Sequence, residues 1–333
     1  MNFVAAGGLR IDYLITHEGK SRLRQPGGNA LYTAVGAAVW GEPVSLLARK
    51  GENYQSCWLD EIERAGIDVS GVVTVPGNQD HRTFFAYGAD GRRDDRNPAA
   101  HFARINQPLP PDLIDYVDST PGQDDPNCFE PLSPRPADWP AAFAGATAVH
   151  LAPHTLRSHL TLPPFLREKG IRQITLDPGE RYMQPAFAGY IREMLPHVTV
   201  FLPSEMEVRS LFGDDMDVGK AAAALVGWGA ALVVVKLGAD GVLVVDENGR
   251  YQHLKPYHPA NDPRIVDVTG AGDAFCGGFM VGLARTGDPI EAARMGLVSA
   301  SLVIEGYGAF YALNGSRGTA VPRLAEICDK VTR

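Results

Sequence analysis

The chain has 333 residues, of which 45% are hydrophobic and 21% are charged, and its formal net charge is −8. This composition is ordinary for a globular protein with a sizeable core, built as one large α/β domain or as two smaller ones. The acidic balance and the lack of a Lys/Arg run argue against a protein that binds phosphate backbones, so we expect no nucleic-acid partner.

The cysteines and the N-terminal sequence bear on the cellular location of the protein. The four cysteines form no CxxC pair, so neither a zinc site nor a disulfide framework is indicated; they are Cys57, Cys128, Cys276 and Cys328. The N-terminus lacks the basic start and apolar core of a signal peptide, and no window approaches the ~18 apolar residues of a membrane span. We therefore predict a cytoplasmic protein with no membrane partner.

Polar residues follow the first predicted strand, residues 2–8. Asp12 comes just after this strand, and ligands of open α/β sheets gather at the carboxyl ends of strands. Its two acceptor oxygens could bind paired hydroxyl groups, although a solvated loop aspartate would give the same pattern. Gly27, Gly28 and Asn29 then open a helix of small and apolar residues.

Strands and helices alternate through much of the chain. Residues 44–48 predict a strand and residues 54–66 a helix, and the alternation resumes with strands over 147–151 and 173–177 separated by a helix around 160–170. This order predicts a parallel sheet with helices on both of its faces. His150 and His154 flank one strand end, where ordinary hydrogen-bonded histidines are the simpler interpretation than a metal pair.

Two segments interrupt the alternation. Residues 81–93 alternate in polarity and contain an Asp90-Gly91 turn, which indicates a β-hairpin. The 33 residues 108–140 contain nine prolines and no period of either kind. We predict an irregular insertion over about 106–140, and loops of this length are usually either functional or disordered.

The predicted strand over 198–202 leads to Ser204 and Glu207, whose spacing matches a helix capping box. A later apolar strand over 231–235 leads to Lys236 and a turn that contains Gly238 and Gly241. This turn could let a nucleotide lie against the backbone, but a plain hairpin turn would have the same spacing. Lys236 could meet a phosphate group or could be solvated.

Residues 264–284, RIVDVTGAGDAFCGGFMVGLA, carry the most information. Their pattern predicts a strand over 264–268, a tight turn at Gly270, Ala271 and Gly272, and a buried helix over 274–284. The free N–H groups and the dipole at such a helix start form an anion site. A carboxylate there, Asp273, suggests phosphoryl transfer to a hydroxyl group whose proton Asp273 accepts, although it could be merely a favourable first-turn residue.

The run DVTGAGDAFCGGF closely resembles the C-terminal signature of the ribokinase-like carbohydrate kinases, the PfkB family. The resemblance implies that Asp273 is the catalytic base and that Gly270, Ala271 and Gly272 form the anion hole. It extends over nearly the whole chain outside the proline-rich insertion. It implies one domain over residues 1–333, a three-layer α/β/α sandwich with a mainly parallel central sheet and a small β lid.

The resemblance also implies which residues bind the molecule that accepts the phosphoryl group. It implies that Asp12 binds substrate and that Gly27, Gly28 and Asn29 match the family's N-terminal signature, with Tyr32 in place of a frequent second asparagine. The lid strands would come from about 11–25 and 81–96, and they would exclude water from the reaction.

The same resemblance implies which residues bind the nucleotide. Ser204 and Glu207 would match an NxxE motif near Mg²⁺, with Glu207 acting through metal-bound water. ATP contacts would come from the region of Lys236, Gly238 and Gly241 and from the loop at Gly308. Asp267 and Thr269 match positions that enclose a monovalent cation, so K⁺ is a candidate activator. The frequent Asn or His of the last helix is replaced by Gly296.

These assignments predict ATP-dependent phosphorylation of a hydroxyl group, expected to be primary, on a sugar or a sugar-like molecule. A nucleoside kinase is the first alternative, in which Phe84, Phe85 or Tyr87 of the lid would stack on a base. A non-catalytic sugar or nucleotide sensor is the second, and the intact Asp273 argues against it. The lid edge offers a surface for a homodimer.

Overall fold

The computed structural model describes residues 2–88, 93–117, 122–315 and 318–331. Its strands are β1 (Phe3–Ala6), β2 (Arg10–Ile15), β3 (Ser21–Gly27), β4 (Val44–Gly51), β5 (Ile67–Val75), β6 (Arg82–Tyr87), β7 (Arg93–Asp94), β8 (Ala148–Leu151), β9 (Gln173–Leu176), β10 (Val200–Phe201), β11 (Leu232–Lys236), β12 (Val242–Val245) and β13 (Tyr251–Leu254).

Its α-helices are α1 (Asn29–Ala38), α2 (Ser56–Arg64), α3 (Pro98–Arg104), α4 (Leu156–Glu168), α5 (Ala188–Met194), α6 (Glu205–Phe212), α7 (Val218–Gly227), α8 (Ala271–Thr286), α9 (Pro289–Val303), α10 (Tyr311–Gly315) and α11 (Ala320–Val331). Among the residues that the structure describes, none of these helices is long and apolar enough to cross a bilayer.

The central sheet has nine strands in the order β13-β12-β11-β10-β9-β8-β1-β4-β5. Neighbouring strands from β5 to β11 are parallel, and β12 and β13 add an antiparallel edge. The predicted, mainly parallel α/β architecture is therefore confirmed. From β1 the chain builds the sheet outwards on one side through β4 and on the other through β8, so a topological switch point lies between β1 and β8, where ligands gather.

The core lies on both faces of this sheet. Because side chains alternate along a strand, Phe3 and Ala5 pack among the residues of α1, α8 and α9, whereas Val4 and Ala6 pack among those of α4 to α7. Helix α8 approaches α1 closely, since a β-carbon at Gly277 would overlap the main-chain oxygen of Thr33. This contact fixes α8, whose first turn carries the GAGD segment, against α1.

The strand predicted over residues 264–268 is wrong, because this segment is irregular. The N–H groups of Val266 and Asp267 both donate to the carbonyl oxygen of Ile304, at 2.8 and 3.2 Å, instead of pairing with a strand. The end of α9 therefore supplies the acceptor that a neighbouring strand would have supplied. The helix after the turn begins earlier than predicted, at Ala271.

A second sheet, the lid, has four strands in the order β3-β2-β6-β7. Strands β2 and β6 are parallel, and the other pairs are antiparallel. The two segments predicted to supply lid strands, 11–25 and 81–96, contribute to this sheet. The predicted Asp90-Gly91 turn lies outside the described residues.

The described part of the proline-rich insertion is irregular, with short 3-10 turns over Pro111–Leu113 and Pro136–Asp138. The carboxylate of Asp112 accepts hydrogen bonds from Tyr13 Oη (2.7 Å) and from Nε (2.5 Å) and Nη2 (2.9 Å) of Arg24. Leu113 is buried, so the insertion is pinned to the outer face of the lid by both polar and apolar contacts.

Candidate active site

The floor of the candidate site is the junction of β1 with α1, at the switch point of the sheet. The side chain of Asn29 accepts a hydrogen bond from the N–H of Gly8 (2.8 Å) and donates one to the carbonyl oxygen of Pro153 (2.6 Å). Both ends of this amide are therefore engaged with the loops that follow β1 and β8. In this structure, the predicted substrate ligand Asn29 holds the floor together.

Asp12 lies on β2, above this floor, and only 8% of it is exposed. A β-carbon at Gly27 would overlap the Asp12 carboxylate, and Gly28 adopts a φ of 97° that favours glycine, so the GG pair permits this close approach. Burial raises the pKa of Asp12 to about 7; the neighbouring Asp267 raises it further, and Arg10 opposes the shift.

The predicted anion turn begins at Gly270, which has a φ of 74° and precedes the first residue of α8. The N–H of Ala271 donates to the carbonyl oxygen of Val268 (3.2 Å), whereas the N–H groups of Gly272 and Asp273 have no hydrogen-bond acceptor among the described residues. Those two groups point to an anion site at the start of α8. Of the three residues predicted to form the anion hole, Ala271 is thus engaged by a turn hydrogen bond, whereas the N–H of Gly270 also has no acceptor among the described residues.

Asp273 is partly buried in the first turn of α8. Burial raises its pKa to about 7; the positive charges of Lys236 and Arg93 oppose the shift, and the carboxylates of Asp12 and Glu207 add to it. These interactions place residues from β2, β7, α6 and β11 around one carboxyl group. A carboxylate with a pKa near neutrality suits a general base.

Lys236 lies at the end of β11, beside Gly272. Its ammonium group pairs with the carboxylate of Asp177, which directly follows β9. Burial raises the pKa of Asp177 to about 6, even though Lys236 lowers it. Asp177 Oδ1 is buried and has no hydrogen-bond partner among the described residues. The sequence placed Asp177 at a strand end but gave no reason to assign it to the site.

The capping box predicted at the start of α6 is present. Oε2 of Glu207 accepts hydrogen bonds from the N–H (2.6 Å) and the hydroxyl group (2.8 Å) of Ser204, whose oxygen accepts from the N–H of Glu207 (3.2 Å). Burial raises the pKa of Glu207 to about 7, and the nearby Asp177 adds to the shift. Ser204 therefore orients Glu207, while Oε1 has no hydrogen bond to a described residue.

The residues present fit Mg²⁺, which proteins usually hold through one or two carboxylates together with substrate phosphates and water. The unpartnered Oδ1 of Asp177 and the Oε1 of Glu207 are oxygen atoms of this kind. Within the described ranges, no group of three or more His, Cys, Asp or Glu side chains could hold a metal ion by itself. An ion here would therefore depend on the phosphates of a nucleotide.

Asp267 and Thr269, predicted around a monovalent cation, lie where the lid meets the anion turn. Asp267 is buried and accepts a hydrogen bond from the N–H of Thr269 (2.9 Å). The hydroxyl groups of Thr269 and Tyr87 are hydrogen-bonded at 2.7 Å. The lid is thereby tied to the turn, and Tyr87 is not free to stack on a base.

The other aromatic candidates of the lid differ in exposure. Phe84 is fully buried and packs against Phe102 and Tyr116, so its predicted stacking on a base is wrong. Phe85 is partly exposed, and the guanidinium of Arg93 lies 4.9 Å from its ring centroid. Of the three candidates, Phe85 is the one that is partly exposed, because the alternation of β6 turns Phe84 to the outer face.

The predicted nucleotide residues divide into two groups. Gly238 and Gly241 flank Ala239 and Asp240 in the chain, and these two residues line a mainly apolar cavity of about 720 Å³ together with residues that include Leu297 and Ile327. Mainly apolar cavities of this size are typical of small-molecule sites. Gly308 instead lies against the side chain of Gln25 in the lid.

Gly296 does not line the apolar cavity either. A β-carbon there would lie 2.7 Å from the ring of Phe275, so the position is filled by packing within the core. His150 and His154 are also structural: Nδ1 of His150 bonds with Oγ1 of Thr175 (2.9 Å), and Nδ1 of His154 accepts from the N–H of Thr155 (2.9 Å).

The chain is similar to known kinases over most of its length. A model of the pfkB family carbohydrate kinases matches residues 172–314. The cytidine kinase of Thermococcus kodakarensis is 31% identical over 311 residues, which cover 92% of this chain and 98% of that protein. An ATP-dependent ribose-1-phosphate kinase of Halopiger xanaduensis is 24% identical over 84% of this chain and 82% of its own length.

Solved structures share the fold. A nucleoside kinase of Burkholderia thailandensis, determined with inosine, superimposes with a TM-score of 0.71 at 16% identity and covers 98% of this chain and 96% of its own. The ribokinase of Arabidopsis thaliana, determined with ribose and ATP, gives a TM-score of 0.68 at 18% identity and covers 97% and 98%. At these identities the likeness establishes the fold alone.

Proposed function

Because the chain belongs to the pfkB family of carbohydrate kinases, we propose that it transfers the terminal phosphoryl group of ATP to a primary hydroxyl group of a sugar or a sugar-like molecule. The observation that carries this proposal is the position of Asp273. Its carboxyl group, with a pKa near neutrality, shares the first turn of α8 with two N–H groups that have no acceptor among the described residues.

Each group around Asp273 has a defined task in this reaction. Asp273 accepts the proton of the attacking hydroxyl group, while the N–H groups of Gly272 and Asp273 stabilise charge on the transferred phosphoryl group. The ammonium of Lys236 adds positive charge at the same place. Glu207 and Asp177, together with the phosphates of the nucleotide, would hold Mg²⁺, which would supply positive charge to neutralise those phosphates.

A nucleoside is the second candidate acceptor, and one observation favours it over a free sugar. A polar cavity of about 650 Å³ is lined by Arg10 and Thr83, the latter paired with Asp12 across the lid strands. This cavity leaves room for a group attached to the sugar. The similarity to the cytidine kinase, which extends over 98% of that protein, is consistent with such a group.

Two further expectations belong to the proposal. Asp267 and Thr269 would border a monovalent cation, and replacing K⁺ by a tetraalkylammonium ion would then lower turnover. A homodimer would form through the lid, whose strand β3 lies at one edge of its sheet. Sedimentation of the parent protein would show whether it exists.

The test is ATP consumption against sugars and nucleosides, with Mg²⁺ and K⁺ present. Asp273→Asn should lower turnover by about 10² to 10⁴, the usual range for the loss of a positioned acid or base. Asp60→Asn, an exposed change on α2, is the matched control and should keep the parent rate. Turnover of Asp273→Asn near the parent rate would refute the assignment, and ligand binding without any turnover would favour a sensor.

A further inference from the structure

Arg10 lies at the start of β2, two residues before Asp12. Side chains at i and i+2 of a strand point to the same face, so both residues face the interior of the site. The positive charge of Arg10 lowers the pKa of Asp12, against the larger effect of burial. Arg10 lines a cavity of about 650 Å³ whose lining contains no residue of α8. Arg10 therefore faces a space outside the first turn of α8, which carries Asp273.

The guanidinium of Arg10 has few hydrogen-bond partners for a half-buried charged group. In the described part of the chain, its one hydrogen bond goes from Nη1 to the main-chain oxygen of Asp80 (3.0 Å), and it has no salt bridge. Burial lowers the pKa of Arg10, since taking a charge out of water favours its neutral form. A guanidinium in such a position usually meets an acceptor group that repays its desolvation.

The carboxylate of Asp80, the residue whose main-chain oxygen Arg10 contacts, is already engaged. Both oxygens of Asp80 accept hydrogen bonds from Arg82, at 2.8 Å from Nε and 2.6 Å from Nη2, and Arg82 also reaches Asp115. His154 is neutral, because burial lowers its pKa to about 3, and an imidazole has no negative charge that could pair with Arg10. The donors of Arg10 consequently remain available to the cavity of about 650 Å³ that it lines.

We propose that Arg10 is a specificity-determining residue that binds a group with two adjacent hydrogen-bond acceptors, carried by the acceptor molecule at the end opposite its reacting hydroxyl group. This inference rests on the proposed phosphoryl transfer and adds the substrate class. The planar fork of a guanidinium donates two parallel hydrogen bonds and matches such a pair of acceptors.

Two kinds of acceptor molecule carry this group. One is a pentose with a phosphate at its anomeric carbon. The other is a cytosine nucleoside, whose ring nitrogen N3 and carbonyl O2 are adjacent acceptors, whereas uracil has an N–H donor at N3. The cavity wall also holds the amides of Gln123 and Gln184 and the exposed Arg181, which suit a polar group rather than an apolar one.

The test measures binding of ribose, ribose 1-phosphate, cytidine and uridine by isothermal titration calorimetry, with and without a non-hydrolysable ATP analogue. Arg10→Gln should weaken binding of the two-acceptor ligand by roughly 10- to 100-fold, as expected for lost hydrogen bonds to a charged group, and should change binding of ribose by less than about 3-fold. Arg10→Lys distinguishes a phosphate ligand from a cytosine ligand, because a lysine still attracts phosphate as a point charge but does not match the two acceptors of the cytosine edge.

Arg24→Gln is the control, since Arg24 is bonded to Asp112 on the outer face of the lid and should not discriminate between the ligands. Equal weakening of all four ligands by Arg10→Gln, or no weakening of any, would overturn the inference, as would failure of the parent protein to bind either two-acceptor ligand. Binding is measured without turnover, so these outcomes are distinct from a failure of the proposed phosphoryl transfer.

Discussion

The ammonium group of Lys236 and the carboxylate of Asp177 form an ion pair at the carboxyl end of the central sheet, where only 16% and 2% of their side chains are exposed. Lys236 is the last residue of β11 and Asp177 directly follows β9, and these two strands are separated in the sheet by β10. The pair is flanked by Glu207 and by the first turn of α8. It therefore lies between the carboxylates that we propose as Mg²⁺ ligands and the proposed anion site.

Breaking this pair on one side should destabilise the fold. Lys236→Met leaves the Asp177 carboxylate buried without its partner, which we expect to cost about 3 to 5 kcal/mol of unfolding free energy. The double variant Lys236→Met/Asp177→Asn should recover much of that loss, because no charge remains unpaired. Urea unfolding of both single variants and the double variant gives the coupling energy, and additive losses would contradict the prediction.

Activity should depend on pH through the site carboxyl groups. Asp12, Glu207 and Asp273 each have a pKa raised to about 7, chiefly by burial. Because Asp273 must be ionised to accept a proton, kcat/KM should fall as the pH drops through 7, and more steeply than for a single group. The profile between pH 5.5 and 9 checks this expectation, and a flat profile above pH 5.5 would contradict it.

Asp12→Asn should raise stability at alkaline pH. The pKa of Asp12 in the folded protein is about 7, above its ordinary value of 3.8. The folded state therefore binds the proton more tightly, and stability is lost as the pH rises through 7. Removing the charge should raise Tm by on the order of 1 to 3 °C at pH 8. The gain should be smaller at pH 5, where native Asp12 is mostly protonated; equal gains would refute this origin.

Substitution by alanine should affect stability differently at two glycines of the anion turn. A β-carbon at Gly270 would overlap the Tyr32 ring at a φ of 74°, whereas one at Gly272 would lie 3.8 Å from its nearest neighbours, Cδ and Nζ of Lys236. We expect Gly270→Ala to lower unfolding free energy by about 2 to 4 kcal/mol and Gly272→Ala by less than about 1 kcal/mol. Gly272→Ala should still lower kcat, because its methyl group narrows the anion site.

Asp112→Ala should loosen the lid. It removes the acceptor of Tyr13 and Arg24, and the ion pair is exposed enough that we expect a loss of less than about 1 kcal/mol in stability. The KM of the acceptor should rise several-fold while kcat changes little, because the insertion no longer holds the lid strands in place. An unchanged KM, with Asp60→Asn as the control, would show that the insertion has no influence on the site.

Local patterns in the sequence predicted the alternation of strands and helices, the capping box of Ser204 and Glu207, and the start of a buried helix at GAGD. These features depend on neighbours a few residues apart. The failure at 264–268 has the opposite cause, since a β-branched run became irregular when the distant carbonyl of Ile304 took its N–H groups.

Only the tertiary structure decided which side chains meet. Three contacts join residues more than 50 positions apart. They are the ion pair of Lys236 with Asp177, the hydrogen bond from Asn29 to Pro153, and the contact of Gly308 with Gln25. The tertiary structure also decided the proposed role of Arg10. Its guanidinium is available to a ligand because the carboxylate of Asp80 is bonded to Arg82. Spacing along a chain reports which residues share an element, whereas burial, charge and unmatched donors arise when separate elements converge.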